Sequence, residues 1–168
     1  MGRREPGRRV HGIRGRARTV TVTVTAMSAQ EHRRADHAPY IAAVRRGIEM
    51  RDIRVTDMQA TTSGDGRREA TLTLRPDDAA FAERLPGEAS ASWDEDNGWS
   101  LLVRQESLAS RVHKGLDVVP DPEDVAAWAV VLLAHPELTP SYEDHPFRDH
   151  SAEDPGFEAR LARYAPGA

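Results

Sequence analysis

The chain has 168 residues and a mass of 18.6 kDa, room for one domain. Its apolar fraction of 39%, charged fraction of 30% and mean hydropathy of -0.62 place part of it outside any packed core. The absence of Cys excludes a disulfide framework, a thiolate nucleophile and a Cys-ligated zinc, and no run of apolar residues is long enough for a membrane-spanning helix.

The formal net charge of -4 hides two opposite parts. Seven Arg and one Glu give residues 1–26 a charge of +6, which leaves -10 on residues 27–168. An acidic body repels phosphate backbones, so nucleic acid is an expected partner only through the arm. Residues 1–35 read as a disordered basic arm with three competing interpretations. Arg with Gly spacing suits a cationic tether, yet no aromatic residue is interleaved to stack on bases. Thr and Val alternate over 19–25, which never builds the apolar region of a secretory signal, although Val20, Val22 and Val24 would share one side of an extended strand. Finally, Met27-Ser28-Ala29 reads as an ordinary start, with residues 1–26 appended by a mis-assigned upstream one.

A folded α+β domain is expected over residues 36–135. Tyr40, Ile41, Val44 and Ile48 recur on one helical face, and Pro39 suits a first turn. Ile53–Gln59 carries β-branched residues at period 2, and Ser63-Gly64-Asp65-Gly66 is a turn signal. Ala70, Leu72 and Leu74 alternate with polar residues, so a hairpin is predicted. A short helical turn is expected from Pro76 through Phe81 and Leu85. Ala91 and Trp93, then Trp99, Leu101 and Val103, form a second alternating pair. Loop parity decides which residues share a face. A three-residue loop Asp96-Asn97-Gly98, with Gly98 in the left-handed region, puts Trp93 opposite Leu101 and Ala91 opposite Val103. Ser107–Val112 is expected to be a capped helical turn ending at Lys114-Gly115, and Leu116–Val119 to be extended. Asp121 is a predicted N-cap, with Pro122 in the first turn and an apolar helix from Val125 to Ala134. The predicted architecture is helix, four-stranded antiparallel meander, helix, with both helices on one face of the sheet.

The hairpin Trp93-Asp94-Glu95-Asp96-Asn97-Gly98-Trp99, the Pro120-Asp121-Pro122 lead-in and a Tyr near the start of the first helix resemble an actinobacterial family of small domains of unknown function. The resemblance covers roughly residues 36–135. It implies the same helix, strands and Pro-led helix, and no catalytic residue.

Residues 136–168 read as an acidic tail broken by Pro136, Pro140, Pro146 and Pro155. Phe157, Leu161 and Tyr164 would share one side of a short amphipathic helix, free either to dock or to fold on a partner.

Candidates for chemistry are sparse. Glu143, Asp144, His145, Asp149 and His150 are dense in metal-ligand types, but a Pro-rich tail lacks preorganisation, so a solvated tail is expected and no metal. Asp94, Glu95 and Asp96 miss the spacing of a calcium loop and read as a polar turn. Ser63 lacks a nucleophile elbow, and Gly64-Asp65-Gly66 is too short for a phosphate loop. His32, His37 and His113 have no clustered partner. Trp93, Gly98 and Trp99 are expected to be structural.

No catalytic residue and no cofactor are predicted. The expected function is that of a small cytoplasmic, non-enzymatic interaction or regulatory module. The alternatives are an accessory nucleic-acid binder acting through residues 1–26 and an enzyme whose pocket is assembled from distant residues. The helix Val125–Ala134 is apolar all round. With Val125, Trp128 and Leu132 on the sheet, the opposite side (Ala127, Val130, Val131 and Ala134) is expected to meet an unknown protein partner or a second copy in a homodimer.

Overall fold

The computed structural model describes residues 34–76, 88–105, 108–115, 117–135 and 146–167. Residues 1–33 of the basic arm, the helical turn expected after Pro76, and Glu143, Asp144 and His145 lie outside the described residues. The elements are α1 (Ala38–Glu49), β1 (Ile53–Thr62), β2 (Arg68–Pro76), β3 (Ala89–Asp94), β4 (Gly98–Gln105), β5 (Leu108–His113), α2 (Pro122–Ala134) and α3 (Pro155–Ala162). The α+β expectation holds, with one strand more than expected.

The five strands form one antiparallel sheet in the order β1-β2-β3-β4-β5. Period-2 alternation buries Ile53 and Val55, Ala70, Leu72 and Leu74, Ala89, Ala91 and Trp93, and Trp99, Leu101 and Val103. The fifth strand replaces the helical turn expected over Ser107–Val112. Six residues are too few to hold a helix alone. Pairing them with β4, from Ser100↔His113 to Gln105↔Leu108, satisfies an otherwise open strand edge. In β5 Val112 is buried and Arg111 exposed, the two-residue period of a strand.

The second hairpin keeps the predicted parity and slides by one pair. Trp93 faces Trp99, Ala91 faces Leu101 and Asp94 faces Gly98, so the loop is Glu95-Asp96-Asn97 and Gly98 opens β4. Asp94 sets this register, because one Oδ1 accepts from the backbone N–H of both Asp96 (3.0 Å) and Asn97 (2.9 Å). Gly98 is in the left-handed region, at φ 73°.

The side of α1 carrying Tyr40, Ile41, Val44, Gly47 and Ile48 is buried. The helix packs against α2 and β1, and α2 touches β4. α2 begins as predicted, with the Asp121 carboxylate accepting from the Glu123 N–H at 2.9 Å. Its inward side is rotated from the expected one. Val125, Ala126, Ala129, Leu132 and Leu133 are buried, while Trp128 is half-buried. Small residues decide this, since a Cβ on Gly47 would stand 3.0 Å from the Cβ of Ala126. The two helices cross too closely there to admit an indole.

After Pro146 the chain lies along the hairpin turn and enters α3, which buries Phe157 and Leu161 in the core. Docking is thus the outcome observed for the tail helix.

Candidate functional site

Five charged residues converge beneath the β3–β4 turn: Glu95, Glu158, Arg34, Arg68 and Arg148. Glu95, expected to sit in a solvated polar turn, is fully buried. Its Oε2 accepts from Arg68 Nε (3.0 Å) and Nη2 (2.7 Å) and from Arg148 Nη1 (3.0 Å). Its Oε1 accepts from the Arg68 backbone N–H at 2.8 Å and from Arg34 Nη2. The other side of the Arg68 guanidinium meets Glu158 on α3, with Nη2 to Oε1 at 2.6 Å and Nη1 to Oε2 at 3.0 Å, and Nη1 also reaches the Ala35 carbonyl at 2.7 Å. Burial alone would push the Glu95 carboxyl up, but the Arg68 hydrogen bonds outweigh it and hold the group below the usual carboxylate range. Glu158 shifts the same way for the same reason. Both guanidiniums lie over the Phe157 ring, Arg68 Cζ 4.9 Å and Arg148 Cζ 4.2 Å from its centroid.

Next to this cluster is an aromatic relay. Trp99 Nε1–H donates to the Tyr40 hydroxyl at 2.9 Å, which donates to the Pro120 carbonyl at 3.0 Å. Trp93 Nε1–H donates to the Val118 carbonyl at 2.7 Å. Both indoles are buried, and their N–H groups tie the sheet to the segment leading into α2. Trp93, Gly98 and Trp99 therefore sit together in the core. His37, one of the isolated histidines of the sequence, stacks on Trp93 with ring centroids 5.6 Å apart and donates through Nε2–H to the Glu69 carbonyl at 3.1 Å. Burial pushes its pKa down, so its ring is neutral near pH 7.

A groove of about 450 Å³ opens beside His37, lined by Arg34, Asp36, His37, Thr61, Thr62 and Arg68 among others. Arg68 is buried and bonded to two carboxylates, whereas Arg34, although paired with Glu95, keeps its side chain 45% exposed and is the cation of this lining that reaches solvent.

Of the metal-type residues of the tail, the two described, Asp149 and His150, bond to different partners. Asp149 accepts from the Ser151 hydroxyl at 2.7 Å and backbone N–H at 2.8 Å, while His150 Nδ1 bonds Asp96 Oδ2 at 2.8 Å. Among the described residues, no group of three or more His, Asp or Glu is placed to hold a metal ion. No helix of the described residues is long and apolar enough to cross a membrane. On α2, Ala127 and Val131 are exposed, Val131 at 51%, and Ala134 is half-buried. Val130, expected beside them, is half-buried and packs on the core. This is a consequence of the rotation at Ala126.

The sequence profile of DUF6292, a family of unknown function, matches residues 40–130. The chain belongs to this family. No curated protein and no solved structure matches it. The DUF6292 match holds Tyr40, Arg68, Trp93, Glu95, Trp99 and Asp117. The groups that close over them (Arg34, Arg148, Phe157, Glu158 and Arg160) lie outside it. Sequence reasoning missed Arg68 and Glu95, because their pairing spans 27 residues and each sits in a locally charged stretch. One signal was available. Arg68 and Ala70 share a period-2 series, so the strand pattern puts Arg68 on the buried side.

Proposed function

We propose that the domain is a non-enzymatic interaction module that binds through the outer side of α2, and that its partner there is a second copy of the chain. The observation that carries this is Val131, which is 51% exposed on the all-apolar Val125–Ala134 stretch of α2 and lies between two small residues, Ala127 and Ala134. The stripe is nearly symmetric about Val131. Two such helices crossing antiparallel would bring Val131 to Val131 and each Ala127 near the other Ala134, the self-complementary contact a two-fold dimer requires. Small residues permit the close approach. The charged interior supports binding over bond-making chemistry, since Arg68, Glu95 and Glu158 are bonded to one another.

A single-helix contact falls short of the about 800 Å² per partner of a standard interface, so the association is weak. Sedimentation equilibrium tests it. A dimer forming at about 10–100 µM, lost in Val131→Glu with an unchanged melting temperature, is expected for such a contact. A wild type that stays monomeric through that range, or a Val131→Glu chain that no longer folds, overturns the reading.

A further inference from the structure

We propose that the seat of α3 is a peptide-binding site for a short amphipathic helix of a partner protein, and that the chain's own C-terminal segment occupies it as a built-in competitor. The seat is formed by the family-matched residues Tyr40, Arg68, Glu95 and Asp117, drawn from α1, β2, the β3–β4 turn and the approach to α2. The occupant comes from outside that match.

The chemistry of the seat is legible in what now fills it. The Arg68 guanidinium holds the carboxylate of Glu158, and Glu95 beneath it draws the cation Arg148. Asp117 accepts from Arg160 Nη1 at 2.7 Å through each of its oxygens. Tyr40 meets the Tyr164 ring at 5.1 Å, and Phe157 and Leu161 enter the core cluster. The matching partner segment is therefore an aromatic residue followed at once by Glu, with Arg three, Leu four and an aromatic seven positions on. Such spacing fits one face of a helix, the groove-docking mode of peptide recognition.

Two features make the resident exchangeable. α3 has only eight residues, too few to persist as a helix without its seat. Among the described residues, the two buried side-chain atoms without a hydrogen-bond partner are Asp96 Oδ1 and Arg148 Nε. Both lie where the tail crosses the hairpin turn, so this junction is less fully satisfied than the rest of the interior. The proposal is independent of the α2 contact, because no residue is common to the two surfaces.

The test uses the full chain with a specific protease site placed within residues 136–145, together with a fluorescein-labelled synthetic peptide of residues 146–167. After cleavage the labelled peptide should exchange into the protein and be displaced by unlabelled peptide. A Phe157→Ala peptide should bind at least about tenfold more weakly, as loss of a buried aromatic anchor requires. The uncut chain should bind the same peptide at least about tenfold more weakly than the cut one, since its own tail competes at high effective concentration. A second preparation, the uncut chain carrying Phe157→Ala and Leu161→Ala, should bind the wild-type peptide as the cut chain does. Failure to exchange, equal binding of the Phe157→Ala peptide, or loss of a cooperative melt in the cut protein once its tail is displaced would each show that α3 is integral core and overturn the proposal.

Discussion

Glu95 is a carboxylate removed from water and held by three guanidiniums, a state stable only while it stays ionised. Taking out one partner of such a buried set leaves charge uncompensated, so Glu95→Gln should cost about 3–5 kcal/mol at neutral pH in a urea titration. The sign with pH follows from its lowered pKa. The unfolded chain binds more protons below pH 4.5, so the contribution of Glu95 is complete above that value and is lost as pH falls through the folded pKa. The acid limb of stability should therefore be shallower in Glu95→Gln than in wild type. A second residue is diagnostic of backbone geometry. A Cβ on Gly98 would be 2.9 Å from the Asp117 carbonyl oxygen at φ 73°, so Gly98→Ala should cost about 1 kcal/mol or more, and an unchanged midpoint would contradict the close approach. The contrast between these two residues marks what is legible locally. Gly98, Trp93 and Trp99 are readable because turn chemistry and alternation act within a few residues. Glu95 is not, because in an Asp-Glu-Asp run only the distant arginines distinguish the buried acid from the solvated ones.

At the scale of elements, two of the departures from expectation have the same origin. β5 is a strand, not a helical turn, because β4 offers it a ladder, and α2 turns its Ala126 inward because α1 offers Gly47. Local propensity and the apolar count were both consistent with the other outcome; the neighbouring element decided. In α2, an all-apolar sequence defines a buried helix without defining which side is buried. The hairpin slid by one pair for a related reason, since parity is fixed by the apolar alternation whereas the exact step is set by the Asp94 carboxylate. The helix crossing yields its own prediction. Gly47→Leu adds four carbons where even a Cβ would touch Ala126 at 3.0 Å, so the helices must separate. Overpacking of this kind costs about 1–3 kcal/mol despite the gain in helix propensity, to be read as a lower melting temperature. A chain of unchanged or higher stability would mean that α1 and α2 slide freely, and the rotated α2 side would lose its explanation.

Across the whole molecule, charges distant in sequence bind the N-terminal approach, the sheet and the C-terminal segment into one unit: Arg34 and Glu158 both converge on the β2–β4 region, while His150 reaches from the tail to the hairpin turn. Two histidines in this unit titrate in opposite senses. The hydrogen bond that His150 Nδ1–H donates to Asp96 raises the pKa of His150, with the charges of Asp65 and Asp149 adding to it. Its contribution to stability is thus complete below the unfolded value of 6.5 and is lost as pH rises through the folded pKa. His37 is lowered by burial first, with Arg68 adding to that effect and the Glu69 carbonyl, Asp36 and Glu95 opposing it. Its contribution is complete above 6.5 and is lost as pH falls through its folded pKa. The two trends offset, so the wild type should show a shallow dependence of melting temperature from about pH 8 to about pH 5.5. Single substitutions separate them. The gap between wild type and His150→Gln should widen as pH falls over that range, because the lost ion pairs matter only when the ring is charged. The gap between wild type and His37→Phe, which keeps a ring on Trp93, should narrow as pH falls, because the variant has no buried imidazole to keep neutral. Parallel curves for wild type and His150→Gln would mean that the tail does not hold Asp96 through a charged ring, and the ionic attachment of the described segment before α3 would then rest on the Arg148–Glu95 pair.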